Sequence, residues 1–293
     1  MLSHALCLAA LLAAQSTGSP IQIRERDVYM PSIDPNGDFS DQDIQQLNDA
    51  FGDALELASY AQTSLNDGVF QKYFREADKA TVLGVFDNIL GNPADETIPT
   101  GNSMLAQITV TTDYVNDDFQ NYVCDGATFA ALRYGLSDYP TIVICPSAFG
   151  HGGIGKSYGD DDDDDYIEAI TCDYFTQDTI RVNWMMQTLG AIFLHEYMHF
   201  QSLVVPPLAN RTTDYDGEDD DPEGVGPYAA RFLDHAYSVS NADSYAWMAT
   251  ENMWSVLCKN EGPYDDPIEY DADDSTCGDD ACYYGDDGDM GTD

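Results

Sequence analysis

Apolar residues recur at helical spacing in the first third of the chain. From Ser40 to about Leu65 they return every three or four positions, which places them on one face of a helix. A second helix is predicted over residues 80–90, with Gly91 as its stop. The inward-facing residues are Ile44, Leu47, Phe51, Leu55 and Ala58 in the first helix and Val82, Phe86 and Ile89 in the second.

The middle of the chain has a different pattern. Residues 104–112 and 141–145 are short segments rich in β-branched side chains, which predicts two strands. Asp125-Gly126 predicts a turn in the looser region between them.

Helical spacing returns from about Trp184 and continues past His199. Two more helices are predicted over residues 228–236 and 242–258. The predicted fold class is therefore α+β, with a mainly helical domain and a small sheet.

The chain divides into three parts by composition. Residues 1–19 begin with a short uncharged apolar stretch followed by small residues, which is typical of a signal peptide. Residues 20–260 have the apolar content of one folded domain, and residues 261–293 form an acidic tail rich in Asp, Gly and Tyr. We therefore expect a secreted, extracellular protein.

The cysteines and a glycosylation motif agree with export. Cys7 lies in the predicted signal, and the other six cysteines predict three disulfides, although the sequence alone does not choose among 15 pairings. Asn210-Arg211-Thr212 is an acceptor sequence for N-glycosylation. The six cysteines are Cys124, Cys145, Cys172, Cys258, Cys277 and Cys282.

The formal net charge of −42 limits the partners of the chain. Nucleic acids and anionic membranes both require clustered Lys and Arg, and this chain has only 11 of them. Much of the negative charge lies in runs over residues 160–165, 214–223 and 261–293, which are typical of solvated loops. We expect a monomer without nucleic-acid or membrane partners.

An HExxH motif lies within the helix predicted near His199. Residues four apart share a helix face, so His195 and His199 can bind one zinc ion while Glu196 faces the open coordination position. Such a helix would be held against the core by apolar neighbours, namely Leu189, Ile192 and Phe193.

A catalytic zinc site needs a third protein ligand. The metzincin continuation is excluded, because Ser202 and Val205 occupy the places where it requires Gly and His. A gluzincin would use a downstream glutamate, for which Glu251 is a better candidate than Glu223 in the acidic loop.

Four segments resemble motifs of the aspzincins, the deuterolysin-like fungal zinc metalloendopeptidases. They are His195-Glu196-Tyr197-Met198-His199, Thr212-Thr213-Asp214, Gly226-Pro227-Tyr228 and Asn241-Ala242-Asp243-Ser244-Tyr245-Ala246. The resemblance covers roughly residues 141–258, and its most specific part is the last segment. It implies a zincin-like fold with the HExxH helix at the active site and one catalytic Zn²⁺.

The second aspzincin motif, Gly-Thr-x-Asp-x-x-Tyr-Gly, implies that Asp214 is the third zinc ligand. In this chain an acidic insertion over residues 216–224 divides the motif, and Arg211 replaces its first Gly. Asp221 is therefore an alternative ligand, as is Asp220, because both lie nearer to Gly226.

The tyrosine of that motif is implied to stabilise the oxyanion, but Val225 stands in its place here. Tyr215 or Tyr228 would then have to act as the catalytic tyrosine.

Asp243 has two compatible interpretations: it favours the positive end of a helix capped by Asn241, or it accepts the free ring N–H of a ligating histidine. The remaining histidines, His151 and His235, have no partner at metal-ligand spacing and are interpreted as surface or satisfied residues. His151 lies among glycines in a stretch expected to be a mobile loop.

These features predict a secreted zinc metalloendopeptidase that acts on protein or peptide substrates, with Glu196 as general base. Two alternatives stay open. The chain could be a catalytically weak or inactive secreted zincin-fold protein that serves as a binding module, or an acid-rich structural protein with an incidental metal site.

Overall fold

The fold is mixed α/β, mainly helical with one small sheet, as the sequence predicts. The computed structural model describes residues 28–91, 99–112, 124, 130–134, 140–159, 166–175, 181–217, 221–258 and 264–267. Several predicted features lie outside the described residues: the signal peptide, the turn at Asp125-Gly126, the candidate ligand Asp220, and Cys277 and Cys282.

Eight α-helices occur in the described part of the chain. The two N-terminal predictions are confirmed, and the first helix begins with a capping box between Ser40 and Asp43. The predicted helix over residues 228–236 is divided in two, and a short helix after Asn66 was not predicted. The helices are α1 (Asp41–Thr63), α2 (Asp67–Tyr73), α3 (Lys79–Leu90), α4 (Leu189–Met198), α5 (Gln201–Val204), α6 (Gly226–Phe232), α7 (His235–Ser238) and α8 (Ala242–Leu257).

The sheet has four strands in the order β1-β2-β4-β3. The first, second and fourth strands are parallel, and β3 pairs antiparallel with β4. The predicted strand over residues 104–112 is shorter than expected, because residues 103–107 form a 3-10 turn, and two strands were not predicted. The strands are β1 (Ser32–Ile33), β2 (Thr109–Thr111), β3 (Ala130–Tyr134) and β4 (Pro140–Ile144).

Helix α4 lies deep in the core against α1. Its backbone approaches α1 closely at Gly190, where an added Cβ would lie 2.6 Å from the Cβ of Asp53. Phe193 packs edge-on against Phe51 with ring centroids 4.9 Å apart. The inward positions predicted for Leu189, Ile192 and Phe193 are confirmed, since each is at least 97% buried. This packing fixes the helix that carries the HExxH motif.

Among the described cysteines, two disulfides join separate segments, Cys124–Cys145 and Cys172–Cys258. The described part of the predicted tail also contacts the body: Tyr264 is buried, and its N–H donates to Glu251. None of the described helices has the length and apolar character needed to cross a membrane.

Candidate metal centre

The end of α4 presents the two histidines of the motif on one side. The helix begins at Leu189, later than the sequence predicted, and ends at Met198, so His199 is its C-cap residue. The N–H of His199 donates to the carbonyl of Glu196 at 3.1 Å, which continues the turn. Both imidazoles therefore retain the helical spacing that allows them to bind one ion.

The segment that carries Asp214 is held beside these histidines by backbone hydrogen bonds. The N–H of Thr212 donates to the carbonyl of Met198, at the end of α4. Thr213 donates to Ser240 and accepts from Ala242, at the start of α8. The segment thus joins the two helices, and Asp214 follows at their junction.

Three ligand atoms converge at this junction. The Nε2 atoms of His195 and His199 are 3.2 Å apart. Each carboxylate oxygen of Asp214 faces one ring, with Oδ1 3.2 Å from Nε2 of His195 and Oδ2 3.2 Å from Nε2 of His199. The structure therefore brings together the two histidines of the motif and the aspartate that the resemblance implied.

Hydrogen bonds at the two Nδ1 atoms determine whether each Nε2 atom has a lone pair available for a metal ion. Nδ1 of His199 lies 3.2 Å from the backbone carbonyl of Thr212, which accepts only, so this nitrogen carries a proton. Nδ1 of His195 lies 2.7 Å from Oδ1 of Asp243. In the neutral rings, both Nε2 atoms then carry a lone pair directed at the same place.

Asp243 connects the centre to two further elements. It lies in the first turn of α8, and its second oxygen accepts the N–H of Gly226 at 2.6 Å. The carboxylate thus fixes the His195 ring and the start of α6 together. Asn241 occupies the N-cap position, but its side chain makes no cap hydrogen bond and donates to Gly224 and Ser244 instead, which corrects the predicted capping role.

Asp243→Asn should weaken zinc binding by roughly 10- to 100-fold, because a neutral amide no longer increases the basicity of His195. Zinc affinity measured by competition with a chelator tests this expectation. Asp234→Asn is the matched control, since it removes the same charge from a side chain that is 71% exposed. Equal zinc affinities in the two variants would contradict the role assigned to Asp243.

The electrostatic environment favours a cation. Burial lowers the pKa of His195, but the carboxylates of Asp214 and Asp243 outweigh this effect and raise that pKa well above its ordinary value. Burial likewise lowers the pKa of His199, and the carboxylates of Asp214 and Glu196 more than offset this effect. Desolvation raises the pKa of Asp214, yet the two imidazoles hold it below its usual range. The carboxylates thus favour positive charge between the rings.

The donor set also fits zinc by its dimensions. Tetrahedral zinc with bonds of about 2.0–2.1 Å separates its ligand atoms by roughly 3.3 Å. The 3.2 Å between the Nε2 atoms of His195 and His199 matches that value, and each of these nitrogens has one carboxylate oxygen of Asp214 at the same distance. Protonating both Nε2 atoms would satisfy Asp214 but would direct two N–H groups at each other, whereas one cation satisfies all three residues.

Glu196 lies on α4 between the two histidines and is 97% buried. Its charge contributes to the electrostatic environment of His199. A carboxylate beside the ligand pair has the chemistry required of a general base.

The other candidate carboxylates lie elsewhere. Glu251 is fully buried in α8, where it pairs with Arg231 and accepts from the hydroxyl of Tyr73. Asp221 is exposed in the acidic loop, which is closed by a bridge between Asp216 and Glu223. Neither Glu251 nor Asp221 belongs to the converging set.

The candidate tyrosines flank the acidic loop in sequence: Tyr215 directly precedes it, and Tyr228 follows it. The hydroxyl of Tyr215 lies 3.0 Å from that of Ser240. Tyr228 lies on α6, where its partly buried ring packs against Phe232. Val225 is 44% exposed immediately before that helix.

His151 is not on the surface, contrary to the mobile loop expected there. It is 95% buried, and its Nδ1 lies 3.2 Å from the carbonyl of Gln187. Burial lowers its pKa to about 4, so the ring is neutral near pH 7. His235 is the first residue of α7 and is partly buried.

Two contributors were not predicted from the sequence: the carbonyl of Thr212, which orients His199, and the N–H of Gly226, which orients Asp243. Both are backbone groups that any residue could supply. The Thr-x-Asp and Asn-Ala-Asp segments were the only signals near them.

No protein-family model matches the sequence, and no curated protein matches it. Among solved structures, the chain is similar to a zinc peptidase from Grifola frondosa, with a TM-score of 0.42 and 17% identity. The match covers 73% of this chain and 98% of that one. At this degree of similarity, the function has to be inferred from the chain's own residues.

Proposed function

We propose that this chain is a zinc-dependent endopeptidase whose metal is held by His195, His199 and Asp214. The observation that carries the proposal is the convergence of three lone-pair donors, with the Nδ1 atoms of both rings engaged elsewhere. A zinc ion at such a site polarises a carbonyl and makes water acidic enough to attack near neutral pH.

Glu196 acts as the general base in this proposal. Its carboxylate takes a proton from the attacking water and then delivers it to the leaving amine. Because Glu196 is buried on a helix packed into the core, it is held in position before the substrate arrives.

Tyr228 or Tyr215 donates a hydrogen bond to the developing oxyanion. The ring of Tyr228 packs against Phe232, and the hydroxyl of Tyr215 would have to exchange its contact with Ser240 for the oxyanion. Secretion is part of the same proposal, supported by the apolar stretch in residues 1–19 and by the two disulfides.

A binding module without activity is the second candidate, and the observation that favours it is Val225 at the place of the motif tyrosine. Such a protein would retain the metal site but would not hydrolyse peptides.

Zinc content and hydrolysis of an unfolded protein, measured together on the purified chain, separate these functions. We expect one equivalent of zinc and a loss of activity on the order of a hundredfold when a chelator removes it, with recovery after zinc is restored. Zinc without hydrolysis would favour the binding module. Hydrolysis that is indifferent to the chelator would contradict the proposal.

A further inference from the structure

Large apolar side chains occur on two segments next to residues that support the metal centre. Met185 and Val225 are 50% and 44% exposed, and Trp184, which directly precedes Met185, is partly buried. They come from two separate segments, the turn before α4 and the residue before α6. We call this set the apolar lip.

The contacts of Trp184 place its indole against α6 and α8, the two helices joined by Asp243. An added Cβ at Gly226 would lie 2.7 Å from the indole ring, so the ring rests on the backbone at the start of α6. The same indole packs edge-on against Trp247 at 5.5 Å. Trp247 lies one turn after Asp243 on α8, so both share a face of that helix.

Backbone hydrogen bonds of its two neighbours place Val225 beside the segment that carries Asp214. The N–H of Gly224 donates to the carbonyl of Tyr215, the residue directly after Asp214. The N–H of Gly226 donates to Asp243. Val225 is therefore held between the segment of a proposed ligand and the carboxylate that orients His195, while its side chain is open to solvent.

The geometry points to a substrate preference: the apolar lip binds a large aliphatic or aromatic side chain next to the scissile bond. This inference rests on the proposed function of the same site. A single exposed apolar residue is ordinary, but two exposed apolar residues on segments that meet at Trp184 and Gly226, near the carboxylate that orients His195, favour a binding surface. The charge of −42 would attract a basic residue from a distance, and Asp221 and Glu223 are exposed just before Val225, but the side chains of the lip itself are apolar.

The preference is tested by comparing kcat/KM for two peptides. Two fluorescein-labelled peptides of Gly, Ser and Ala, identical except for a central Leu or Lys, serve as probes. The leucine peptide should be cleaved with a kcat/KM on the order of tenfold higher. Val225→Asp should abolish that advantage. Val256→Asp is the matched control, because Val256 is 38% exposed at the far end of α8, and its ratio should equal that of the unchanged protein.

Binding provides a second readout that does not need turnover. Anisotropy of the same peptides on the zinc-loaded Glu196→Gln variant should show the same preference for leucine, and adding Val225→Asp should remove it. If nothing is cleaved, the proposed function fails and this binding ratio still decides the inference. Equal binding of the two peptides, or a preference for lysine, would overturn the apolar lip even if hydrolysis is observed.

Discussion

Glu196→Gln should lower hydrolysis by about a hundredfold or more while one equivalent of zinc stays bound. Glutamine has the shape of glutamate, so the packing of this buried side chain is kept. It does not accept a proton at neutral pH, and it leaves His195 and His199 intact. Turnover on an unfolded protein and zinc content after dialysis measure the two halves of the expectation.

The matched control is Glu223→Gln, which removes an equal charge from an exposed residue of the acidic loop. This variant should retain both zinc and full activity. Near-normal turnover in Glu196→Gln would eliminate Glu196 as the base. Loss of zinc in that variant would instead indicate that Glu196 is needed for the metal site itself.

The sequence predicted best the elements whose signals are local. The apolar face of α1 and the capping box at Ser40 identify that helix without further context. The first six residues of α4 carry no polar side chain, so its burial follows from the sequence, and the shared face of His195 and His199 follows from their spacing. Gly91 ends α3 in the left-handed conformation that favours glycine.

Features that depend on partners distant in sequence were not predicted. Strand β1 has only two residues, and it exists because it pairs with β2. The paired residues Ser32 and Thr109 are 77 positions apart in the sequence. Glu251 looked like a ligand because a downstream glutamate suits a gluzincin. Its actual partner is Arg231 on another helix, an ion pair that no pattern along the chain reveals.

Asp243 shows how a sequence interpretation and a structural one complement each other. Its place in the first turn of α8 follows from the sequence, and a negative charge there is favourable for the helix. Its contact with His195 depends on how α8 packs against α4, which is a tertiary property. A carboxylate that accepts from a ligating histidine was one of the two interpretations of Asp243, but helical spacing alone did not identify that partner.

The third ligand is the site residue that spacing could not choose, because several carboxylates follow His199. The acidic loop explains the difficulty: the bridge between Asp216 and Glu223 closes the insertion on itself, and Asp221, the described candidate within it, is not in the converging set. Asp214 precedes the loop, at the end of a segment tied to α4 and α8.

Asp214→Ala should therefore weaken zinc binding by more than about a hundredfold, since a ligand should matter more than a residue that only orients one. Asp220→Ala and Asp221→Ala remove loop charges and should keep one equivalent of zinc after dialysis, which makes them matched controls for both charge and substitution. Glu251→Gln should also keep zinc, although its pairing with Arg231 is weakened and the fold should be less stable. If Asp214→Ala kept its zinc and Asp221→Ala lost it, the third ligand would be a residue of the acidic loop. Loss in Glu251→Gln alone, in protein still folded by circular dichroism, would assign the third ligand to α8.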